Sequence, residues 1–298
     1  MHCGAVTACG SRYYTPLKRR ISSTTPAALI VRHLRPPCRI SVVSPHSSCC
    51  AVRLFRTSFV GDISLFDAMK RYFSGSGITE NKKMVEHLQH FGVISSVKVA
   101  EVMGTIDRGL FVPDGSPPYD DSPMLIGYNA TISAPHMHAM CLELLEKKLQ
   151  PGMRALDIGS GTGYLTACFA MMVGAEGRAI GVEHIPELAA TSIENIQKSE
   201  AASLLKDGSL AIHVGDGRLG WPEFAPYDAI HVGAAAPAIP QCLIDQLKPG
   251  GRLVIPVGNI FQELQVVDKD LKGQIHCHSQ TSVRYVPLTS RQHQLGIQ

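Results

Sequence analysis

One stretch constrains this chain more than any other: Ala155-Leu156-Asp157-Ile158-Gly159-Ser160-Gly161-Thr162-Gly163-Tyr164-Leu165-Thr166. The apolar run with a single acid reads as a short buried strand, the alternate glycines as a sharp turn, and Tyr164 onward as the opening of a helix. Glycine lets the backbone turn and approach a ligand with no side chain in the way. The following helix offers free N–H groups and the positive end of its dipole. Strand, turn and helix in this order belong to open α/β sheets, which hold nucleotide-type cofactors at such places. The plain alternative is a strand-to-helix turn that binds nothing.

The surrounding pattern extends the same architecture. Strands are expected at 154–158, 178–182, 210–214, 228–232 and 252–257, with helices at 165–173, 186–201 and 240–247 between them. Such alternation predicts a doubly wound, mostly parallel α/β sheet covered by helices on both faces. Two late strands, 262–267 and 281–288, have no helix between them and allow an antiparallel pair. Upstream lies a helical subregion, with helices at 76–91 and 97–106. A further helix starts at 136, with Met137, Met140, Cys141, Leu144 and Leu145 on its apolar face. A loop over 113–124, stiffened by Pro113, Pro117, Pro118 and Pro123, separates them.

Charge divides the chain. Residues 1–61 contain no Asp or Glu but nine Lys and Arg, so the remainder carries 19 basic and 25 acidic residues, a net −6, within an overall +3. We read 1–61 as a basic leader and 62–298 as the folded domain. An acid-free, Arg- and Ser-rich leader has the composition of an organelle transit peptide, for a chloroplast or mitochondrion. The alternative is a disordered basic extension that stays attached, in a cytoplasmic or nuclear protein, with Lys18-Arg19-Arg20 as a short nuclear address. No apolar run is long enough to span a bilayer, and the acidic domain argues against nucleic acid as a partner. Nine cysteines without a C-x-x-C pair suit free thiols in a reducing compartment.

The chemistry rests first on strand-end acids. A dinucleotide site wants Gly-x-Gly-x-x-Gly, but here the third glycine is Gly163 and not residue 164, which argues against a nicotinamide enzyme. Glu183, ending the next strand, suits two hydrogen bonds from ribose hydroxyls, or is a strand-end acid exposed to water. Asp216, within Gly215-Asp216-Gly217-Arg218, suits an adenine amino group, or is a turn acid.

The spacing Asp157-x-Gly159-x-Gly161-x-Gly163 resembles the first motif of class I (Rossmann-like) S-adenosylmethionine-dependent methyltransferases. Ala130-Thr131-Ile132-Ser133-Ala134-Pro135-His136-Met137-His138-Ala139 resembles the signature of the protein-L-isoaspartate (D-aspartate) O-methyltransferases. Segments 214–218, 226–237, 247–253 and 285–289 agree in order and spacing, so the resemblance spans roughly 75–290. It implies S-adenosyl-L-methionine as cofactor, S-adenosyl-L-homocysteine as product, and no metal. The implied substrates are damaged proteins and peptides bearing isoaspartate, and less well D-aspartate. It implies cofactor contacts at Ala130, Thr131, Ile132, Ser133, His138, Gly159, Ser160, Glu183, Asp216, Gly217, Thr289 and Gln294. Asp157 and Gly161 join them from the glycine motif, and Ser133 is the implied active-site residue. Glu183 stands where many members have Asp, and Thr162 where many have Ser; carboxylate and hydroxyl are kept.

Read from the residues alone, Ser133 before Pro135 is equally an N-cap. A hydroxyl at a helix N-terminus also suits an anionic carboxylate. His136 and His138 do not share a helical face, His231 reads as a satisfied core histidine, and His276-Cys277-His278 has no partner set for a metal. The competing readings are a methyltransferase of small carboxylic acids or nucleic acid, and a non-catalytic cofactor sensor. Intact Thr131, Ser133 and His138 argue against the sensor. The protein is taken to act as a monomer.

Overall fold

The structure, a computed structural model, describes residues 80–296. The leader, its five cysteines and the first residues of the helix expected from 76 lie outside the described residues. In chain order the elements are α1 (Asn81–His90), α2 (Val97–Thr105), β1 (Met124–Gly127), β2 (Ala130–Ile132), α3 (Pro135–Leu145), β3 (Arg154–Ile158), α4 (Tyr164–Val173), β4 (Arg178–Glu183), α5 (Pro186–Gln197), α6 (Ala202–Asp207), β5 (Leu210–Val214), β6 (Tyr227–Val232), α7 (Gln241–Gln246), β7 (Leu247–Val257), β8 (Gln262–Lys269), β9 (Ile275–Val283) and α8 (Arg291–Leu295).

Seven strands form one sheet in the order β5-β4-β3-β6-β7-β8-β9. The first five run parallel, and β8 and β9 add antiparallel. The chain therefore lays β4 and β5 on one side of β3, then returns to place β6 on the other. This reversal is the topological switch point, where the carboxyl ends of parallel strands leave a crevice. The sequence sets the layers. Register places Ala179, Ala155 and Ala229 in one row across the sheet centre, and Ile180, Leu156, Ile230 and Leu253 in the next. Alternate residues face opposite sides. The alanine row lets the α4 side, with fully buried Phe169, pack close; the branched row fills the other layer.

The expected elements shift at several points. The helix expected over 186–201 is α5, which ends at Gln197, and a separate short helix, α6, follows from Ala202 where none was expected. The α3 face turned inward is His138, Cys141, Leu142 and Leu145. Met137, Met140 and Leu144 are only partly buried, because a helix apolar nearly all round leaves its inward face ambiguous. The last strand lies at 275–283, not 281–288. The apolar residues of 285–288 instead run past Ala235, whose N–H donates to Val286 O (2.8 Å) and whose carbonyl accepts from Leu288 N–H (2.8 Å). The β1–β2 hairpin was not foreseen. It turns through Tyr128 and Asn129, both at positive φ (52° and 56°), the two-residue turn that suits the twist of a hairpin.

Candidate functional site

The glycine turn after β3 is held by its own backbone. Gly159, Gly161 and Gly163 all have positive φ (71°, 56° and 94°), a region L side chains rarely enter. The N–H groups of Gly159 and Ser160 both donate to Val182 O (2.8 and 3.2 Å). Gly163 is further required by packing: a Cβ there would lie 3.0 Å from Ser192 Cβ and 3.1 Å from Ile196 Cδ1 on α5.

Glu183, at the end of β4, is buried and its carboxylate is fixed. Gly161 N–H donates to Oε2 (2.9 Å) and Ile185 N–H to Oε1 (3.0 Å). Each oxygen keeps a second lone pair for a ligand. Gly217 packs so closely on β3 that a Cβ would sit 2.4 Å from Ile158 Cγ2. These residues line a cleft at the carboxyl ends of β3, β4 and β6, with an empty volume of about 550 Å³ counted out to solvent.

Eight of the expected contacts line this cleft: Ala130, Thr131, Gly159, Gly161, Glu183, Gly217, Thr289 and Gln294. Gln294 also closes it structurally. Its Nε2 donates to Tyr128 O (2.9 Å), its carbonyl accepts from Asn129 Nδ2 (2.8 Å), and its Oε1 meets His184 Nε2 (2.9 Å). α8 is thereby tied to the β1–β2 hairpin and to the end of β4.

Six expected contacts lie behind or beside the lining: Ile132, Ser133, His138, Asp157, Ser160 and Asp216. Asp157 is the clearest departure. It is 1 % exposed and sits beneath the turn, accepting from Thr166 Oγ1 (2.5 Å) and paired with His231 Nδ1 (2.8 Å). Its position inside the buried strand turns it to the core, so it organises the turn and does not face the cleft. His231 is therefore a satisfied core histidine. Burial opposes charge on its ring, but neighbouring Cys141 and Asp157 outweigh burial and raise its pKa to about 10. Asp216 is engaged by Arg218, which donates from Nη2 to Oδ2 (2.6 Å) and from Nε to Oδ1 (2.9 Å). That hydrogen bond, above all, holds its carboxyl below the usual range. Ser160 Oγ and Thr162 Oγ1 are buried with no hydrogen-bond partner among the described residues.

The segment before α3 is built differently from its expected N-cap. The N-cap residue is Ala134, with no side-chain bond. The cap comes from the proline-rich loop, where buried Asp121 accepts from His136 N–H (2.9 Å) and pairs with His136 Nδ1 (2.8 Å). The same loop is fastened by Arg108 Nε to Pro118 O (2.7 Å) and by Tyr119 OH to Asp107 Oδ1 (2.9 Å). Ser133 lies beside Tyr285, whose phenol is pushed up by burial and by nearby Cys141.

His138 has a determined tautomer. Arg108 is fully buried, and its Nη1 lies 3.1 Å from His138 Nδ1. A guanidinium only donates, so Nδ1 accepts and the ring proton sits on Nε2. A second proton would set two donors head to head. Burial, then Arg108, His231 and His136, keep the His138 pKa well below 6.5.

The family model for protein-L-isoaspartate(D-aspartate) O-methyltransferase matches residues 79–293. The chain belongs to this family. It is 71 % identical over 227 residues to protein-L-isoaspartate O-methyltransferase 1 of Arabidopsis thaliana, covering 76 % of this chain and 99 % of that one. It is 69 % identical over 233 residues to Arabidopsis protein-L-isoaspartate O-methyltransferase 2, covering 78 % and 75 %. The fold matches a Plasmodium falciparum protein-L-isoaspartate O-methyltransferase crystallised with S-adenosyl-L-homocysteine, with TM-score 0.66, 35 % identity, and coverage of 71 % of this chain and 99 % of that one. The sheet and its flanking helices are those of a class I methyltransferase.

The family's cofactor suits this cleft on the residues present: a carboxylate fixed by backbone, a turn of left-handed glycines and unpaired buried hydroxyls. Sequence reasoning missed Ile126, Ile158, Val182, His184, Gly233, Ala234, Val286, Pro287 and Leu288 in the lining. Most of them lie inside the 226–237 and 285–289 segments already singled out. Gly233 had a signal, a glycine directly after an apolar strand run, and the fold explains it, since a Cβ there would meet Gly159 O at 3.0 Å. Among the described residues, no group of three or more His, Cys, Asp or Glu is placed to hold a metal, and no helix is long and apolar enough to cross a membrane.

Proposed function

We propose that this chain is an S-adenosylmethionine-dependent carboxyl O-methyltransferase that esterifies the α-carboxylate of L-isoaspartyl residues, and less well D-aspartyl residues, in damaged proteins. The backbone amide nitrogen that follows then attacks the ester carbonyl and expels methanol to give a succinimide, and hydrolysis returns part of it to aspartate. One observation carries the reading: the cleft brings Ala130 and Thr131, from the segment before α3, against the glycine turn and Glu183. The cofactor site and the acceptor segment thus share one crevice.

When bound, S-adenosylmethionine supplies a methyl group activated on a sulfonium. Glu183, held by two backbone N–H groups, accepts the ribose hydroxyls. Gly159, Gly161 and Gly217 let backbone approach, Ser160 offers a hydroxyl with no other partner, and Thr289 and Gln294 close the far wall. Ile132 and His138 support the acceptor side, His138 donating from Nε2. Asp157 acts beneath the turn and Asp216 through the turn that presents Gly217. The acceptor carboxylate is already ionised at neutral pH, so no base is required. Ser133 donates a hydrogen bond that orients it. Placement and exclusion of water supply the acceleration, up to roughly 7–11 kcal/mol in favourable systems.

The full chain, incubated with methyl-labelled cofactor and matched peptides, is expected to place base-labile methyl groups on the isoaspartyl peptide alone. Equal labelling of the aspartyl peptide, or none, overturns the function. We also propose that residues 1–61 form a targeting peptide and that the enzyme acts as a monomer. A reporter fused to 1–61 is expected in an organelle, and diffuse cytosolic signal defeats the targeting role. Sedimentation of the enzyme as a dimer defeats the second.

A further inference from the structure

β7 runs parallel to β6, so its carboxyl end lies at the same sheet edge as the cleft. There the β7–β8 hairpin turns through Gly258-Asn259-Ile260-Phe261 before β8 begins at Gln262. Both sides of this tip are fastened to chain that lines the cleft. On one side Gly258 N–H donates to Ala236 O (2.9 Å), two residues beyond the lining residue Ala234. On the other, Gln262 Nε2 donates to Tyr285 O (3.1 Å) and Gln262 Oε1 accepts from Tyr285 N–H (2.6 Å), one residue before the lining residue Val286. The tip therefore stands on the rim of the site, beside the tyrosine that neighbours Ser133.

Its shape is imposed by the backbone. Gly258 has φ +126°, and a Cβ there would lie 2.0 Å from Phe261 O. This turn holds out Ile260 and Phe261, 89 % and 91 % exposed, the two most exposed large hydrophobic side chains among those described. Single exposed apolar residues are ordinary on protein surfaces. Two adjacent ones, on an uncharged turn pinned to the lip of a cleft, form a ready contact surface.

We propose that Ile260 and Phe261 are a docking lip for an apolar side chain flanking the isoaspartyl residue of the polypeptide substrate. The inference rests on the function proposed above. A polypeptide acceptor cannot enter the cleft whole, so its chain on either side of the reacting residue must cross the rim. The isoaspartyl linkage adds a carbon to the main chain and shifts the hydrogen-bonding register of one flank against the other. Contact with side chains is insensitive to that shift, whereas continuous backbone pairing is not. A neutral apolar lip also tolerates many sequences, as a repair enzyme requires.

The test compares the full chain with Ile260→Ser, Phe261→Ser and the double variant. The two isoaspartyl peptides differ only in flanks, leucine and tyrosine in one, glycine and serine in the other. The double variant is expected to raise KM for the apolar-flanked peptide roughly tenfold, the scale of burying one apolar side chain. Its kcat should not change, and KM for the glycine- and serine-flanked peptide should stay within about twofold. Phe261→Met is expected to retain most of the preference. KM unchanged for both peptides, or raised equally for both, overturns the lip. So does a wild-type dimer that the double variant dissociates while leaving KM unchanged, since the pair then serves self-association. If the wild type methylates neither peptide, the parent function falls and the lip falls with it; unchanged KM values with active wild type defeat the lip alone.

Discussion

Glu183 and Asp216 look alike in the sequence, each an acid at or just past the end of a strand, yet the fold uses them differently. Glu183 spends one lone pair per oxygen on Gly161 and Ile185 and presents the rest to the cleft. Asp216 is committed to Arg218. Glu183→Ala is therefore expected to weaken S-adenosylhomocysteine binding by about 1–3 kcal/mol; unchanged affinity by calorimetry removes the ribose role. Ser133 is not the N-cap, so Ser133→Ala should leave thermal stability near wild type. It should lower kcat about ten- to a hundredfold, with smaller loss of cofactor affinity, if its hydrogen bond orients the acceptor. Unfolding of this variant, or unchanged kcat, counts against that role. Arg108 makes a prediction about its neighbour. Among the groups facing His138 (Arg108, His136, Tyr164 and His231), the guanidinium at 3.1 Å fixes the proton on Nε2. Nitrogen NMR of the wild type should find His138 neutral, with Nδ1 unprotonated, across roughly pH 5.5–8. A titration near the ordinary histidine value contradicts the assignment.

At the scale of elements, the legible parts were short apolar runs, buried on both faces in β3, β4 and β6 and buried only at Leu210 in the edge strand β5. β3, β4, β5 and β6 are short apolar runs between turn residues, and their positions follow from that pattern to within a residue. The β1–β2 hairpin escaped because strands of four and three residues carry too little periodicity, and its signal was only Asn129 in a positive-φ turn. β9 was misplaced because it is a largely exposed edge strand without apolar alternation. The site divided in the same way. Glycines and strand-end acids declare themselves by type, whereas Asp121 and Arg108 act on α3 from across a loop, which spacing along the chain cannot reveal. The Asp121 contact yields the next prediction. Because Asp121 supplies the cap that Ala134 lacks, Asp121→Ala is expected to cost about 0.5–2 kcal/mol in urea denaturation, the range for losing an N-cap. It should also loosen the loop beside the acceptor segment and raise KM. A stability within about 0.3 kcal/mol of wild type would show that the helix end needs no partner from the loop.

Across the whole molecule, two buried histidines on either side of the glycine turn shift in opposite directions, and together they shape the pH dependence of folding. His138 is held well below 6.5 in the folded state. As pH falls through 6.5, the unfolded chain takes up a proton that the native state refuses, so stability declines toward acid. His231 is raised from 6.5 to about 10. Below 6.5 both states hold that proton and the imidazolium–Asp157 pair contributes fully. Between 6.5 and about 10 only the native state holds it, so stability declines toward alkali. The joint contribution therefore peaks near pH 6.5, with each limb approaching about 1.4 kcal/mol per pH unit, the limit for one proton. Denaturation from pH 5 to 9 should show this dome. His138→Gln should reduce the acid limb, leaving the part contributed by His213, which burial also holds below 6.5, and His231→Gln should flatten the alkaline limb alone. His231→Gln should also lower stability at pH 6 by about 3–5 kcal/mol, because it strands Asp157 without its cation. An alkaline limb that survives in His231→Gln would place the titrating group elsewhere and leave the glycine turn resting on a neutral pair.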